Sequence, residues 1–153
     1  MSLQAFLKEN TIIAENIKFV ASNRFVEDRE VEVDGVKEIR KLPIEWELKP
    51  ISIQRDEEIR KSCMKKVQVT GKRGQYTPEL DFDKYIGKVS AECTVYPNLN
   101  SEELQNSWGV MGAENLLKAM LLPGEYGAYM EKVQEVCGFD ISMDDKVEEV
   151  KNF

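Results

Sequence analysis

The sequence predicts an α+β fold, in which a small N-terminal antiparallel β-sheet is followed by a mainly α-helical C-terminal two thirds. Two observations carry this prediction. Apolar and polar residues alternate in short runs before residue 52, as expected for strands with one buried face. Beyond that point, apolar residues recur at spacings of three and four, which places them on one face of successive helices. We expect one domain over residues 1–153, with a sheet-forming part at about 15–51 and a helical part at about 52–153.

The N-terminal part is predicted to hold a short helix and several strands. The helix covers residues 2–7, and Ser2 is placed to cap it. Alternation predicts strands at residues 17–21 and 44–48. Between them, the pair Asp34-Gly35 lies between valines and predicts a two-residue hairpin with charged, solvated flanks.

Helix starts in the C-terminal part are marked by residues that favour the N-cap position. Ser52, Asp81 and Ser101 each precede an apolar pattern of helical period, and Ser142 precedes a shorter one. Pro97 is expected to mark the end of the helix that begins after Asp81. The sequence therefore predicts several amphipathic helices after the sheet.

The densest helix signals lie in residues 101–139. Pro123 disfavours helical backbone at the residue before it, so one helix should end at Leu122. The next should end at Gly138, which can adopt the left-handed conformation, with Phe139 folding back on the last turn. This pattern predicts two helices that meet at a tight corner.

A basic cluster occurs early in the helical part. Residues 60–73 hold six basic side chains and no acidic one. The GKRG segment at 71–74 lacks the spacing of a phosphate-binding loop, and no nucleic-acid-reading fold is recognisable. Because residues 67–78 contain two glycines and end at a proline, we interpret them as a mobile arm that faces solvent or a partner, and we expect no nucleic-acid binding.

The sequence predicts no catalytic, cofactor-binding or metal site. It has no histidine, and Cys63, Cys93 and Cys137 form no CxxC pair. We expect buried free thiols at these three positions. Asp81 and Asp83 resemble a metal-binding pair, but their position at a helix start gives both acids a structural role. We therefore expect that the protein is not an enzyme.

The negative charge is concentrated near the C-terminus. Residues 98–153 hold 4 basic and 11 acidic side chains, and residues 1–97 hold 17 of each, so the whole net charge of -7 lies in the last third. Such a region repels nucleic acid and attracts a basic protein surface, and it also keeps a small protein in solution. With no long apolar run and no signal peptide, the sequence predicts a cytoplasmic protein without a membrane partner.

Several motifs occur in order along residues 3–140 and resemble those of a known family. They are PIEWELKPI (43–51), DEEIRKSC (56–63), GQYTPELDFDKY (74–85), CTVYPNLNSEELQ (93–105), WGVMGAENLLKAMLLPGEY (108–126) and VCGF (136–139). The chain resembles the XkdN-like tail assembly chaperones of long-tailed phages and phage-like prophages. The segment 96–124 is the most specific part, and residues 27–41 are not matched.

This resemblance implies a non-enzymatic assembly factor in the bacterial host cytoplasm. Such a protein would bind the phage tape measure protein, keep it soluble during tail assembly, and be absent from the finished virion. The tail tube protein is a second candidate partner. The alternatives are a structural tail or baseplate component of a phage-like particle and a generic bacterial protein-interaction adaptor.

A tape measure protein is long and helical with apolar stripes, so a small domain can shield it with an apolar groove or helix face. Methionine side chains adapt well to varied partners. The candidate partner-binding residues are Met111, Met120, Tyr126, Tyr129, Met130, Val133 and Phe139. For each of them the alternative assignment is the protein's own core. The acidic tail at 140–149 is a candidate for steering a basic partner.

Overall fold

The computed structural model of the protein describes residues 2–139. Within them, two short 3-10 turns, Gln4–Phe6 and Lys8–Asn10, precede seven strands and five α-helices. The strands are β1 (Ile17–Phe19), β2 (Val26–Val33), β3 (Val36–Pro43), β4 (Trp46–Leu48), β5 (Met64–Gln68), β6 (Tyr76–Leu80) and β7 (Thr94–Tyr96). The helices are α1 (Ile53–Ser62), α2 (Phe82–Cys93), α3 (Glu102–Trp108), α4 (Ala113–Met120) and α5 (Pro123–Val136). The predicted α+β class is confirmed.

The predicted distribution of strands is wrong, because strands are spread through the chain. The central sheet has the order β1–β4–β7, and all of its pairs are antiparallel. Its third strand comes from the part predicted to be helical: α2 ends at Cys93, and Thr94–Tyr96 is extended before Pro97. The strand follows α2 without a break, and the helix was predicted to run to Pro97, so Thr94–Tyr96 was assigned to the end of that helix.

The hairpin formed by β2 and β3 confirms the predicted two-residue turn. Asp34 and Gly35 both have positive φ, 52° and 78°, as a type I′ turn requires. The register pairs Val33 with Val36 at the turn and Val26 with Pro43 at the far end. Most of its side chains are exposed, as the charged flanks predicted.

The predicted mobile arm is instead a second hairpin, formed by β5 and β6. Lys66 pairs with Pro78, and Met64 pairs with Leu80. Glycines and a proline indicated a loop, but Pro78 is tolerated in a two-stranded ribbon because its missing N–H can face the open edge. The basic side chains of residues 60–73 therefore lie on α1 and on this hairpin. The expectation that they bind no nucleic acid stays a prediction.

Three helices have the predicted side-chain hydrogen bond at their N-cap. The backbone N–H groups of Arg55, Lys84 and Leu104 donate to the side chains of Ser52, Asp81 and Ser101 at 3.1, 3.4 and 3.3 Å, respectively. Each bond satisfies one of the donors that the first turn of a helix leaves free. The helix predicted from Ser142 lies outside the described residues.

Besides the end of α2, two predicted helix boundaries differ from the structure. Helix α4 ends at Met120, earlier than predicted, because Leu121 and Leu122 are both extended. Leu122 is the N-cap of α5, and its N–H donates to the side chain of Glu125 at 2.9 Å, while Pro123 occupies the first helical position. At the N-terminus, the predicted helix at residues 2–7 is instead a 3-10 turn at Gln4–Phe6 with its N-cap at Leu3, and the hydroxyl of Ser2 accepts from the N–H of Gln4 at 3.2 Å.

A single core lies between the central sheet and the helices. Helix α2 packs against α1, α4 and α5. The inner face of β4 contributes Trp46 and Leu48, which alternate with the partly exposed Glu47 as predicted. The largest fully buried side chains are Trp46, Tyr129, Leu48, Leu99, Leu116, Leu117 and Val133.

Candidate partner-binding groove

An open groove of about 290 Å³ lies where α1, α2 and α5 meet, and we call it the α1–α2–α5 groove. Its lining is mainly apolar. The apolar side chains that line it include those of Ile53, Phe82, Ile86, Val89, Val133 and Phe139. An apolar concavity with few polar groups is typical of protein and ligand binding sites.

Three large apolar side chains on the rim of the groove are exposed to solvent. Ile53, Phe82 and Phe139 have 80%, 55% and 67% of their surface exposed, respectively. Ile53 and Phe82 are each the first residue of a helix, directly after a capping residue. Exposed apolar side chains around one concavity mark an interaction surface more strongly than isolated ones do.

The backbone at the end of α5 positions Phe139. Gly138 has φ of 92°, and its N–H donates to the carbonyl of Glu135 at 3.1 Å. The N–H of Phe139 donates to the carbonyl of Gln134 at 2.8 Å, which completes a Schellman motif. The predicted glycine stop is confirmed, and it directs the chain back toward the groove.

One wall of the groove carries a polar cluster of three side chains. The hydroxyl of Tyr85 donates to Asp56, whose second carboxylate oxygen accepts from Arg60 Nε at 3.0 Å. The Arg60 guanidinium lies 4.6 Å from the centre of the Tyr85 ring. Burial, together with the bond to Asp56, raises the pKa of Tyr85 to about 12, and the bond to Asp56 raises the pKa of Arg60. Because the carboxylate of Asp56 bonds both side chains, the cluster joins α1 to α2.

Two cysteines meet at the end of the groove. Cys137 lines it and is partly exposed, whereas Cys93 is fully buried. Their sulfur atoms are 3.7 Å apart. The hydrogen bond with Cys93, supported by the backbone of Ile51, lowers the pKa of Cys137 to about 6, and the same sulfur contact raises the pKa of Cys93. The prediction of buried free thiols is confirmed for Cys63 and Cys93, but Cys137 is only half-buried.

The seven predicted partner-binding residues do not form one surface. Val133 and Phe139 line the groove, and Met111 is 84% exposed elsewhere. Tyr126 and Met130 are half-buried. The remaining two, Met120 and Tyr129, are in the core together with Val133. A role of these seven residues in partner binding stays a prediction.

Ile53 is not among the residues predicted from the sequence to bind a partner, and Phe82 was predicted to lie in the core. Phe82 follows the three-four spacing of α2, but it is the first residue of the helix. The buried residues of α2 begin at Tyr85, so the ring of Phe82 remains at the rim of the groove. A usable signal was present: both residues are apolar at the first position after a cap, where side chains lie at the edge of the packed face.

Other kinds of site are not found in the described part of the chain. Residues 2–139 contain no group of three or more His, Cys, Asp or Glu side chains arranged to hold a metal ion. In the same residues, no helix has the length and apolar character needed to cross a membrane.

Comparison with known proteins identifies the family of the chain. Residues 3–151 match the family described as phage XkdN-like tail assembly chaperone protein. The chain belongs to this family. The tail assembly chaperone family is one of assembly factors, not of known enzymes, and membership implies binding to other phage tail proteins. The resemblance found in the sequence motifs is confirmed.

Two relatives from Bacillus subtilis (strain 168) match nearly the whole chain. The phage-like element PBSX protein XkdN is 32% identical over 151 residues, which is 98% of this chain and 93% of that protein. The uncharacterized protein YqbN is 31% identical over the same length and with the same coverage. A crystal structure of the protein YqbN is similar, with a TM-score of 0.66 and 26% identity, over 91% of this chain and 98% of that one.

Proposed function

We propose that this tail assembly chaperone binds the phage tape measure protein in the cytoplasm of the bacterial host and keeps it soluble until the tail tube forms. The observation that carries the proposal is the α1–α2–α5 groove with its exposed rim of Ile53, Phe82 and Phe139. Family membership supports a tail-protein partner, and the apolar rim supports one that presents an apolar stripe.

An amphipathic helix is the occupant that suits this groove best. Its volume of about 290 Å³ has room for a few apolar side chains, which a helix supplies at positions i, i+3 and i+4. The charges of Asp56 and Arg60 compensate each other in the wall, so the groove favours an apolar face over a charged one. The tail tube protein is the second candidate partner.

Co-expression tests the proposal. The tape measure protein encoded near this gene should be recovered in the soluble fraction with the chaperone and as aggregate without it. The variants Ile53→Ser and Phe139→Ser should lower that yield. Burying one such side chain contributes about 1.5–3 kcal/mol, so each variant should weaken binding about tenfold or more.

Matched controls separate the groove from exposed apolar surface in general. Ile39 is 74% exposed on β3 and Phe6 is 82% exposed near the N-terminus, and neither lines the groove. Ile39→Ser and Phe6→Ser should keep the soluble yield. Equal loss in all four variants, with circular dichroism unchanged, would contradict a role for the groove.

A truncation is a weaker test than these substitutions. Removing residues 123–153 deletes α5, and with it the core residues Tyr129 and Val133, so the protein would lose its fold together with any binding surface.

Mass spectrometry of purified particles gives an independent test. Absence of the protein supports an assembly factor, and a stoichiometric amount would support a structural tail or baseplate component instead.

A further inference from the structure

We propose that Cys137 is a site of oxidative modification and that Cys93 resolves it, so that peroxide converts the pair into an intrachain disulfide at the end of the α1–α2–α5 groove. The two sulfur atoms are 3.7 Å apart, and an S–S bond of about 2.05 Å needs an approach of less than about 2 Å. This proposal is independent of what the groove binds.

The positions of the two cysteines in their helices make that approach feasible. Cys93 is the last residue of α2, and Cys137 is the C-cap residue directly after α5. Backbone at helix ends adjusts more readily than backbone in a helix interior, because fewer hydrogen bonds hold it. A bond here would join the ends of two packed helices without crossing the middle of the core.

The two thiols differ in a way that assigns their roles. Cys137 lines the open groove, so a small oxidant can reach its sulfur, whereas Cys93 has no exposed surface. The neighbouring thiol and the Ile51 backbone favour the Cys137 thiolate, whereas partial burial and the carboxylate of Asp56 oppose it. The thiolate is the nucleophilic form, so Cys137 is the thiol that reacts first.

The reaction balances with hydrogen peroxide as the oxidant. The Cys137 thiolate attacks one peroxide oxygen, the O–O bond breaks, and the released hydroxide takes a proton to become water, which leaves a sulfenic acid on Cys137. The sulfur of Cys93 then attacks the sulfenic sulfur, the S–O bond breaks, and the departing hydroxide takes the Cys93 proton. Two thiols and one peroxide give one disulfide and two water molecules.

Cys63 is an internal control in the same chain. It is 1% exposed, and its sulfur contacts the hydroxyl of Ser62 at 3.6 Å. Because it is buried without access to the groove, it should remain a thiol under the same conditions. Oxidation of Cys63 would therefore show that the reaction is not selective for the Cys93–Cys137 pair.

The test uses the full chain, reduced and then treated with hydrogen peroxide at neutral pH. After denaturation and alkylation, the number of alkylated thiols should fall from three to one, peptide mapping should place the remaining thiol at Cys63, and a peptide containing the Cys93–Cys137 disulfide should appear. Three alkylatable thiols after treatment, a disulfide that includes Cys63, or a disulfide between two chains would overturn the proposal.

Two variants examine the assigned roles. Cys93→Ala should allow a sulfenic acid on Cys137 to be trapped with dimedone, while Cys63→Ala should form the disulfide as the wild-type chain does. If Cys93→Ala yields no trapped adduct although it folds, Cys137 is not the reactive thiol and the proposal fails. Should Cys93→Ala not fold, the mapping of the wild-type chain still decides the outcome.

Discussion

The ring of Tyr129 meets the indole of Trp46 edge-on, with centroids 5.6 Å apart and ring planes at 75°. Trp46 lies on β4 and Tyr129 on α5, and both are buried. The Tyr129 hydroxyl also bonds Thr94 at the start of β7. The last described helix thus completes the core of the central sheet, and Tyr129, one of the predicted partner-binding residues, is a core residue of this fold.

Tyr129→Ala and Tyr129→Phe should separate packing from hydrogen bonding. Loss of the ring should lower the free energy of unfolding by about 3–5 kcal/mol, because the edge contact with Trp46 is lost and a cavity remains. Loss of the hydroxyl alone should cost about 1 kcal/mol, since Thr94 keeps its bond to the carbonyl of Ser90 at 2.8 Å. Urea denaturation measures both. Tyr76→Phe, at a 60% exposed tyrosine, is the control and should change little.

Two glycines of the α5 region should respond in opposite directions to the same substitution. Gly127 is inside the helix, and a Cβ there would meet no atom within 4 Å, so Gly127→Ala should stabilise the protein by about 0.5–1 kcal/mol. Gly138 has φ of 92°, so Gly138→Ala should destabilise it by about 1–2 kcal/mol. Thermal unfolding of both variants checks this. A shift of the same sign in both would show that the Schellman motif is not required.

The stability of the protein should fall as the pH rises above the usual tyrosine pKa. The pKa of Tyr85 is raised to about 12 by burial and by Asp56, whereas in the unfolded chain it is about 10. Between these values the unfolded chain has lost a proton that the folded chain keeps, so stability decreases with pH. The contribution of Tyr85 is complete below about pH 10 and amounts to about 2–3 kcal/mol.

Burial raises the pKa of Tyr129 in the same direction and adds to this decrease. Urea denaturation at several values between about pH 9 and pH 12 measures the slope. Tyr85→Phe should make the slope shallower than in the wild-type chain. An equal slope in the wild-type chain and Tyr85→Phe would contradict the role assigned to Tyr85.

Most helices, the turn at Asp34-Gly35 and the stop at Gly138 could be predicted because each depends on residues close together in the chain. Caps, apolar spacing and positive-φ residues act within one or two turns. Strand β7 and the hairpin β5–β6 could not be predicted in this way. The first follows α2 directly and was assigned to the end of that helix, and in the second the glycines and Pro78 obscured the alternation.

The family, the α+β class and the capped helices follow from the amino-acid sequence alone, since motifs and local preferences are written along the chain. The folded structure decides which apolar residues are core and which form the rim of the groove, and it brings Cys93 to Cys137. These relationships join residues far apart in the sequence. They arise from the packing of α1 and α5 against α2, and no local pattern encodes that packing.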